Sequence, residues 1–192
     1  SLSVSQAPNA MPEKRNAFIG DIYQMDFLTQ KCGFQHFSVR QYLIEEAQRR
    51  GKSINRDTFV EVANDLRATH SPSFIIDELY KQAQASGKNA IIESIRAAGE
   101  ITSLRQKGDF VLLAVDADPK IRYERIVARN SETDHVSFET FLENERREMT
   151  SDDPSKQNLS KCISMADYTL RNNGDFEDLF HQVSIIIKNI NI

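Results

Sequence analysis

The chain has 192 residues, 40% hydrophobic and 27% charged, with a formal net charge of −4. That size suits one globular domain with a sizeable core, and the acidic balance argues against a general nucleic-acid or membrane-surface binder. The two cysteines, Cys32 and Cys162, have no disulfide or zinc spacing, so a reducing cytoplasm is the expected compartment. No apolar run of ~18 residues offers a membrane span, and no signal-peptide pattern opens the chain.

Residues 1–16 (SLSVSQAPNAMPEKRN) are polar and carry Pro8 and Pro12. They read as a disordered tail or an expression scar, with Met11 as a candidate natural start. Residues 17–192 read as a single domain. Ala17-Phe18-Ile19-Gly20 reads as a short strand and a glycine, followed by a helical stretch from Asp21. Residues 35–39 are a strand. Residues 40–50 are a helix stopped by Gly51, 57–69 a second, and 73–86 a third closed by Gly87. Residues 89–94 are a buried strand, and 97–107 a helix ending before Gly108. Residues 110–115 form a continuous apolar strand ending in Asp116. Asp118-Pro119 then opens a helix, with aspartate as candidate N-cap and proline at the first helical position. Ser137 caps a helix to 149, 156–165 is another, 167–171 is a strand, 172–174 a turn, and 176–188 the last helix. Strands alternating with helices predict a parallel sheet built from right-handed crossovers.

Ligands of such sheets sit beyond the carboxyl ends of the strands. Arg122, Arg125 and Arg129, at i, i+3 and i, i+4 spacing, share one helix face there. They suit phosphate through the guanidinium fork, or they form a solvated face. Ser38 and Arg40 offer a hydroxyl and a guanidinium at a strand end and helix start, or a cap and a solvated cation. Glu93 and Arg96 follow a fully apolar strand, where a charged pair needs a partner; a carboxylate there can hold Mg²⁺ through water. Asp116 is a second candidate acid, or a turn residue. Arg146 and Arg147 belong to a charged helix face.

A Gly-rich phosphate loop, G-x-x-x-x-G-K-[ST], opens a helix. Gly51-Lys52-Ser53 instead ends one, and position 46 is glutamate. The remaining place is Gly20 to Gly33, which contains no Gly-Lys pair, while Asp21 stands where a phosphate would lie.

GFQHFSVRQYLIEEAQRRG, VANDLR, IIESIR, LLAVDADPKIRYERIVARN and NLSKCISMADYTLRNNG together resemble the nucleoside monophosphate kinase and dephospho-CoA kinase group of P-loop kinases. The likeness is closest to their archaeal nucleotide-kinase-like branch. It runs from Gly33 to Gly174. It implies an α/β fold, a three-layer parallel sheet with helices on both faces, with acceptor-binding helices at about 40–86 and a lid at about 130–150. It implies phosphoryl transfer from ATP with Mg²⁺ to a nucleotide or dephospho-CoA-like acceptor. By resemblance Ser38, Arg40 and Arg67 bind the acceptor. Glu93, Arg96, Arg125 and Arg129 are catalytic, and Glu93 and Asp116 are metal-side acids. Gly20, Asn172, Asn173 and Gly174 face the ATP. The expected partner is a small-molecule nucleotide. The chain departs from the group where the Walker A loop belongs. The alternative is a non-catalytic kinase-fold protein that serves as a nucleotide-binding or assembly module. A Gly-Lys-Ser/Thr before residue 25 of the natural chain would decide for the kinase.

Overall fold

The structure is a computed structural model and describes residues 2–5, 17–19, 29–108, 110–129, 136–150, 152 and 158–190. In chain order the strands are β1 Leu2–Ser5, β2 Ala17–Ile19, β3 Gln35–Phe37, β4 Ala90–Glu93, β5 Phe110–Asp116 and β6 Tyr168–Arg171. The helices are α1 Val39–Arg49, α2 Arg56–Thr69, α3 Phe74–Ser86, α4 Ala98–Gln106, α5 Pro119–Arg129, α6 Phe138–Met149, α7 Leu159–Ser164 and α8 Phe176–Asn189.

Side-chain caps set most of the helix starts. Ser38, Asn55, Ser137, Asn158 and Asp175 each accept a backbone N–H from the first turn of their helix, which satisfies one of the orphan donors there. Asn158 also corrects a boundary. The helix expected from residue 156 begins at Leu159, because the Asn158 side chain takes the N–H of Lys161 at 3.0 Å. Gly87, at φ +67°, ends α3 in the left-handed region that favours glycine.

The sheet runs β3-β4-β1-β2-β5-β6, with β1 also reaching β5. β3 and β4 are parallel, as are β2 with β5 and β5 with β6. β1 is antiparallel to β4, β2 and β5. Two expectations change here. Leu2–Ser5, read as part of a polar tail, form a strand, and the sheet is mixed rather than wholly parallel. LSVS alternates apolar and polar residues, the pattern a strand requires, and the surrounding prolines and polar residues hide four residues of it.

Successive residues of the central strands pack into different clusters. Ile91, Val111, Leu113 and Leu170 meet Leu179, Val183, Ile186 and Ile187 of α8 and Ile190 at its C-cap. Ile92, Leu112 and Ala114 meet Ile76, Leu79 and Tyr80 of α3, Ile101 and Leu104 of α4, and Cys162 of α7. This is the period-two alternation of a strand buried on both faces. A third cluster, Leu43, Val62, Ala63, Leu66 and Ile75, knits α1, α2 and α3 together. The five parallel strands point the same way, so their carboxyl ends form one edge.

Candidate active site

The first group on that edge is built by strand register. Phe37 of β3 lies beside Ile92 of β4, so one step further the chain sets Ser38 beside Glu93. Ser38 Oγ donates to Glu93 Oε1 at 2.5 Å while accepting the N–H of Gln41 at 3.3 Å as the cap of α1. His36 Nε2 lies 3.4 Å from the other carboxylate oxygen, Oε2. Burial pushes the Glu93 carboxyl up, but hydrogen bonding from His36 and Ser38 outweighs it and holds the group below its ordinary value. His36 was not among the expected site residues. Its role depends on strand pairing, which the sequence does not print.

The chain then turns sharply. Ser94 has φ +69°, the one positive value at a non-glycine among the described residues, a conformation that costs about 1–2 kcal/mol for an L-residue. Ile95 behind it is fully buried. The N–H groups of Arg96 and Ala97 both point to Glu100 Oε2, at 2.9 and 3.2 Å. Glu100 Oε1 lies 3.7 Å from Arg67 Nη2. Burial pushes the Glu100 carboxyl up, opposed by the Arg96 N–H, Arg67 and the Ala97 N–H. Glu100, only 3% exposed, is a second residue that sequence reading missed. A glutamate three residues into a helix is half of a capping box, but the usual serine or threonine partner is here Ala97.

At the end of β5 the arginine row divides. Arg122 clamps Glu145 of α6 with two hydrogen bonds, 2.8 and 2.6 Å. It also donates to Asp116 Oδ1 at 2.9 Å and to the Ala117 carbonyl. Arg125 donates to the carbonyls of Asn172 at 2.7 Å and Gly174 at 3.3 Å. Asn173 Oδ1 accepts the N–H of Asp118 at 2.8 Å, and the Asn172 N–H reaches the Asp116 carbonyl at 2.7 Å. The 172–174 turn is thus fastened to the start of α5. Arg40 is exposed and lies over the Phe59 ring, 5.8 Å from its centroid. This cation–π contact draws it toward α2. Gly20, the Arg129 side chain and lid residues 130–135 lie outside the described residues, as do Lys156 and Gln157.

The two candidate Mg²⁺ acids stand on strands that are not neighbours. Leu2 of β1 pairs with both Glu93 and Leu113, so the backbones of β4 and β5 are roughly 10 Å apart at that level. Both carboxylates are also engaged, Glu93 by Ser38 and His36 and Asp116 by Arg122. Among the described residues no cluster of three histidine, cysteine or carboxylate side chains has the geometry of a metal site. Burial pushes the Cys162 thiol up to about 12, which keeps it un-ionised and inert. No described helix is long and apolar enough to cross a membrane.

A mostly parallel sheet with helices packed against it and its polar groups gathered at the carboxyl edge is an α/β fold. In fold the structure is similar to shikimate kinase from Bacteroides thetaiotaomicron, over 98% of this chain and 99% of that one, with a TM-score of 0.57 and 8% identity. In sequence the chain is similar to UPF0200 proteins of archaea. It is 28% identical over 148 residues to one from Methanococcus vannielii, covering 76% of this chain and 77% of the relative. It is 26% identical over 170 residues to another from Methanococcus maripaludis strain C7, covering 85% and 87%. No protein-family model matches the chain.

Proposed function

We propose that this is a nucleotide kinase-like protein whose acceptor half is built and whose donor half lacks the ordinary phosphate loop. The observation that carries the reading is the Ser38–Glu93 pair, held at 2.5 Å across the carboxyl ends of two neighbouring parallel strands. A carboxylate fixed there can accept from a hydroxyl or amine of a nucleotide or dephospho-CoA-like acceptor, and Arg96, which follows a strained turn at Ser94, supplies a guanidinium for its phosphate. Backbone strain stored beside a polar constellation also fits a ligand site. The donor side is different. No Gly-Lys-Ser/Thr stands between β2 and residue 34, so the N–H cradle and lysine that hold an ATP polyphosphate are missing from this sequence. The reading is therefore a protein that binds nucleotide monophosphates and turns over ATP slowly or not at all.

Calorimetry on the full chain with AMP, CMP, dephospho-CoA and ATP–Mg²⁺ tests it. At least one of the first three binds, and ATP–Mg²⁺ binds weakly. Arg96→Ala weakens the acceptor by about 1.5–3 kcal/mol, a charged hydrogen bond's worth. Tight ATP binding with phosphoryl transfer would falsify this and favour the second reading, a working kinase whose donor site uses other residues. That alternative draws support from the shikimate kinase fold.

A further inference from the structure

We propose that Glu100 is a positioning residue for the acceptor side, holding Arg67 of α2 and the Arg96 backbone in one constellation. The inference rests on the acceptor reading above. Its two carboxylate oxygens do different work. Oε2 takes the N–H groups of Arg96 and Ala97 at 2.9 and 3.2 Å, so it fixes the loop between β4 and α4. Oε1 faces Arg67 Nη2 at 3.7 Å, an ion pair that draws a guanidinium carried by a separate element toward the loop.

A carboxylate only 3% exposed is costly to bury without donors and a counter-charge. Glu100 has two donors from the loop, the positive end of α4 and Arg67. Arg67 itself keeps 28% of its side chain exposed, so part of its five-donor fork still faces outward and can meet an anion. Glu100 therefore makes one rigid acceptor wall from α2 and the β4–α4 loop, which are otherwise 29 residues apart (Arg67 to Arg96) in the chain.

The division of labour selects the variant. E100Q keeps a carbonyl oxygen for the loop N–H groups and presents an amide NH₂ to Arg67, a donor facing a donor. It is expected to fold like the wild type but to release the Arg67 guanidinium. The test combines ¹³C-detected NMR of the arginine side chains with AMP, CMP and dephospho-CoA titrations. It uses wild type, E100Q, R67M and the double variant, and R67M assigns the Arg67 signal. In the wild type the Arg67 guanidinium rotates slowly. In E100Q it rotates like an exposed arginine, and affinity for the monophosphate that binds falls roughly tenfold. The double variant is no weaker than R67M. Free rotation of Arg67 already in the wild type overturns the proposal without any variant, which covers an E100Q that does not fold. So does an E100Q that binds the monophosphate as the wild type does while R67M loses it. If the wild type binds none of the three ligands, the acceptor reading fails by itself, and the Arg67 signal still decides whether Glu100 holds that side chain.

Discussion

Ser94 is the most strained residue of the described backbone, at φ +69°. Glycine meets no steric penalty there, though it loses more chain entropy on folding. Ser94→Gly is therefore expected to raise stability by about 0.5–1 kcal/mol, read as a higher urea midpoint with unchanged slope. A lower midpoint would mean that the serine hydroxyl contributes more than the left-handed backbone costs. Glu93 carries a pH prediction. Its carboxyl is held below its ordinary value of 4.5, so the folded state favours the ionised form. That stability is present above the unfolded value and is lost as pH falls through the folded one. Glu93→Gln cannot titrate. The stability gap between wild type and Glu93→Gln should thus narrow as pH drops below about 4.5. A gap that stays constant down to pH 3 rules out the His36 and Ser38 bonds as the cause.

At the scale of elements, α6 is tied to α5 in two ways. Arg122 clamps Glu145, and Tyr123 packs against Phe138 and Phe141 with ring centroids 5.2 and 5.5 Å away. Tyr123 also donates to the Val136 carbonyl at 2.8 Å. Arg122→Met keeps the aliphatic stem and removes the fork. It should cost about 1–3 kcal/mol, since Asp116 and Glu145 lose a half-buried partner. Amide exchange over 138–149 should quicken while α8 stays protected. Uniform loss across the chain would mean that Arg122 stabilises the fold and not this joint. The arginine row shows what spacing reveals. Placing Arg122 and Arg125 at i, i+3 correctly put them on one helix face. It did not disclose that one turns to two carboxylates and the other to the carbonyls of 172–174, because Glu145 and the 172–174 turn arrive from elements 23 to 49 residues away. Strands β3 to β6 and the caps at Ser38 and Ser137 were legible because they are local patterns of apolar runs and turn chemistry. The His36–Glu93 contact and the Arg67–Glu100 pair were not legible, because they require a strand register and a helix packing that no local pattern encodes.

At the scale of the whole molecule, the fold places two polar groups on one edge with at least one strand between them. One is Ser38, Glu93 and His36 at the β3 and β4 ends; the other is Asp116, Arg122, Arg125 and the 172–174 turn at the β5 and β6 ends. Phosphoryl transfer needs a donor between such halves, held by a loop at the central strand. Here β2, Ala17–Ile19, occupies a central place beside β5, and the sequence following it is Gly20-Asp21-Ile22-Tyr23. A carboxylate in that segment repels a triphosphate, and the segment contains no Gly-Lys pair. Asp21→Lys should therefore tighten ATP–Mg²⁺ binding modestly, by about 1 kcal/mol, because it replaces repulsion with attraction. It should restore little turnover, since one cation does not recreate a cradle of backbone N–H groups. AMP affinity should be unchanged, because the proposed acceptor site is the Ser38 half. Isothermal titration of wild type and Asp21→Lys with both nucleotides separates the halves. If the substitution changes AMP binding as much as ATP binding, the two halves form one site and the division between donor and acceptor sides is wrong.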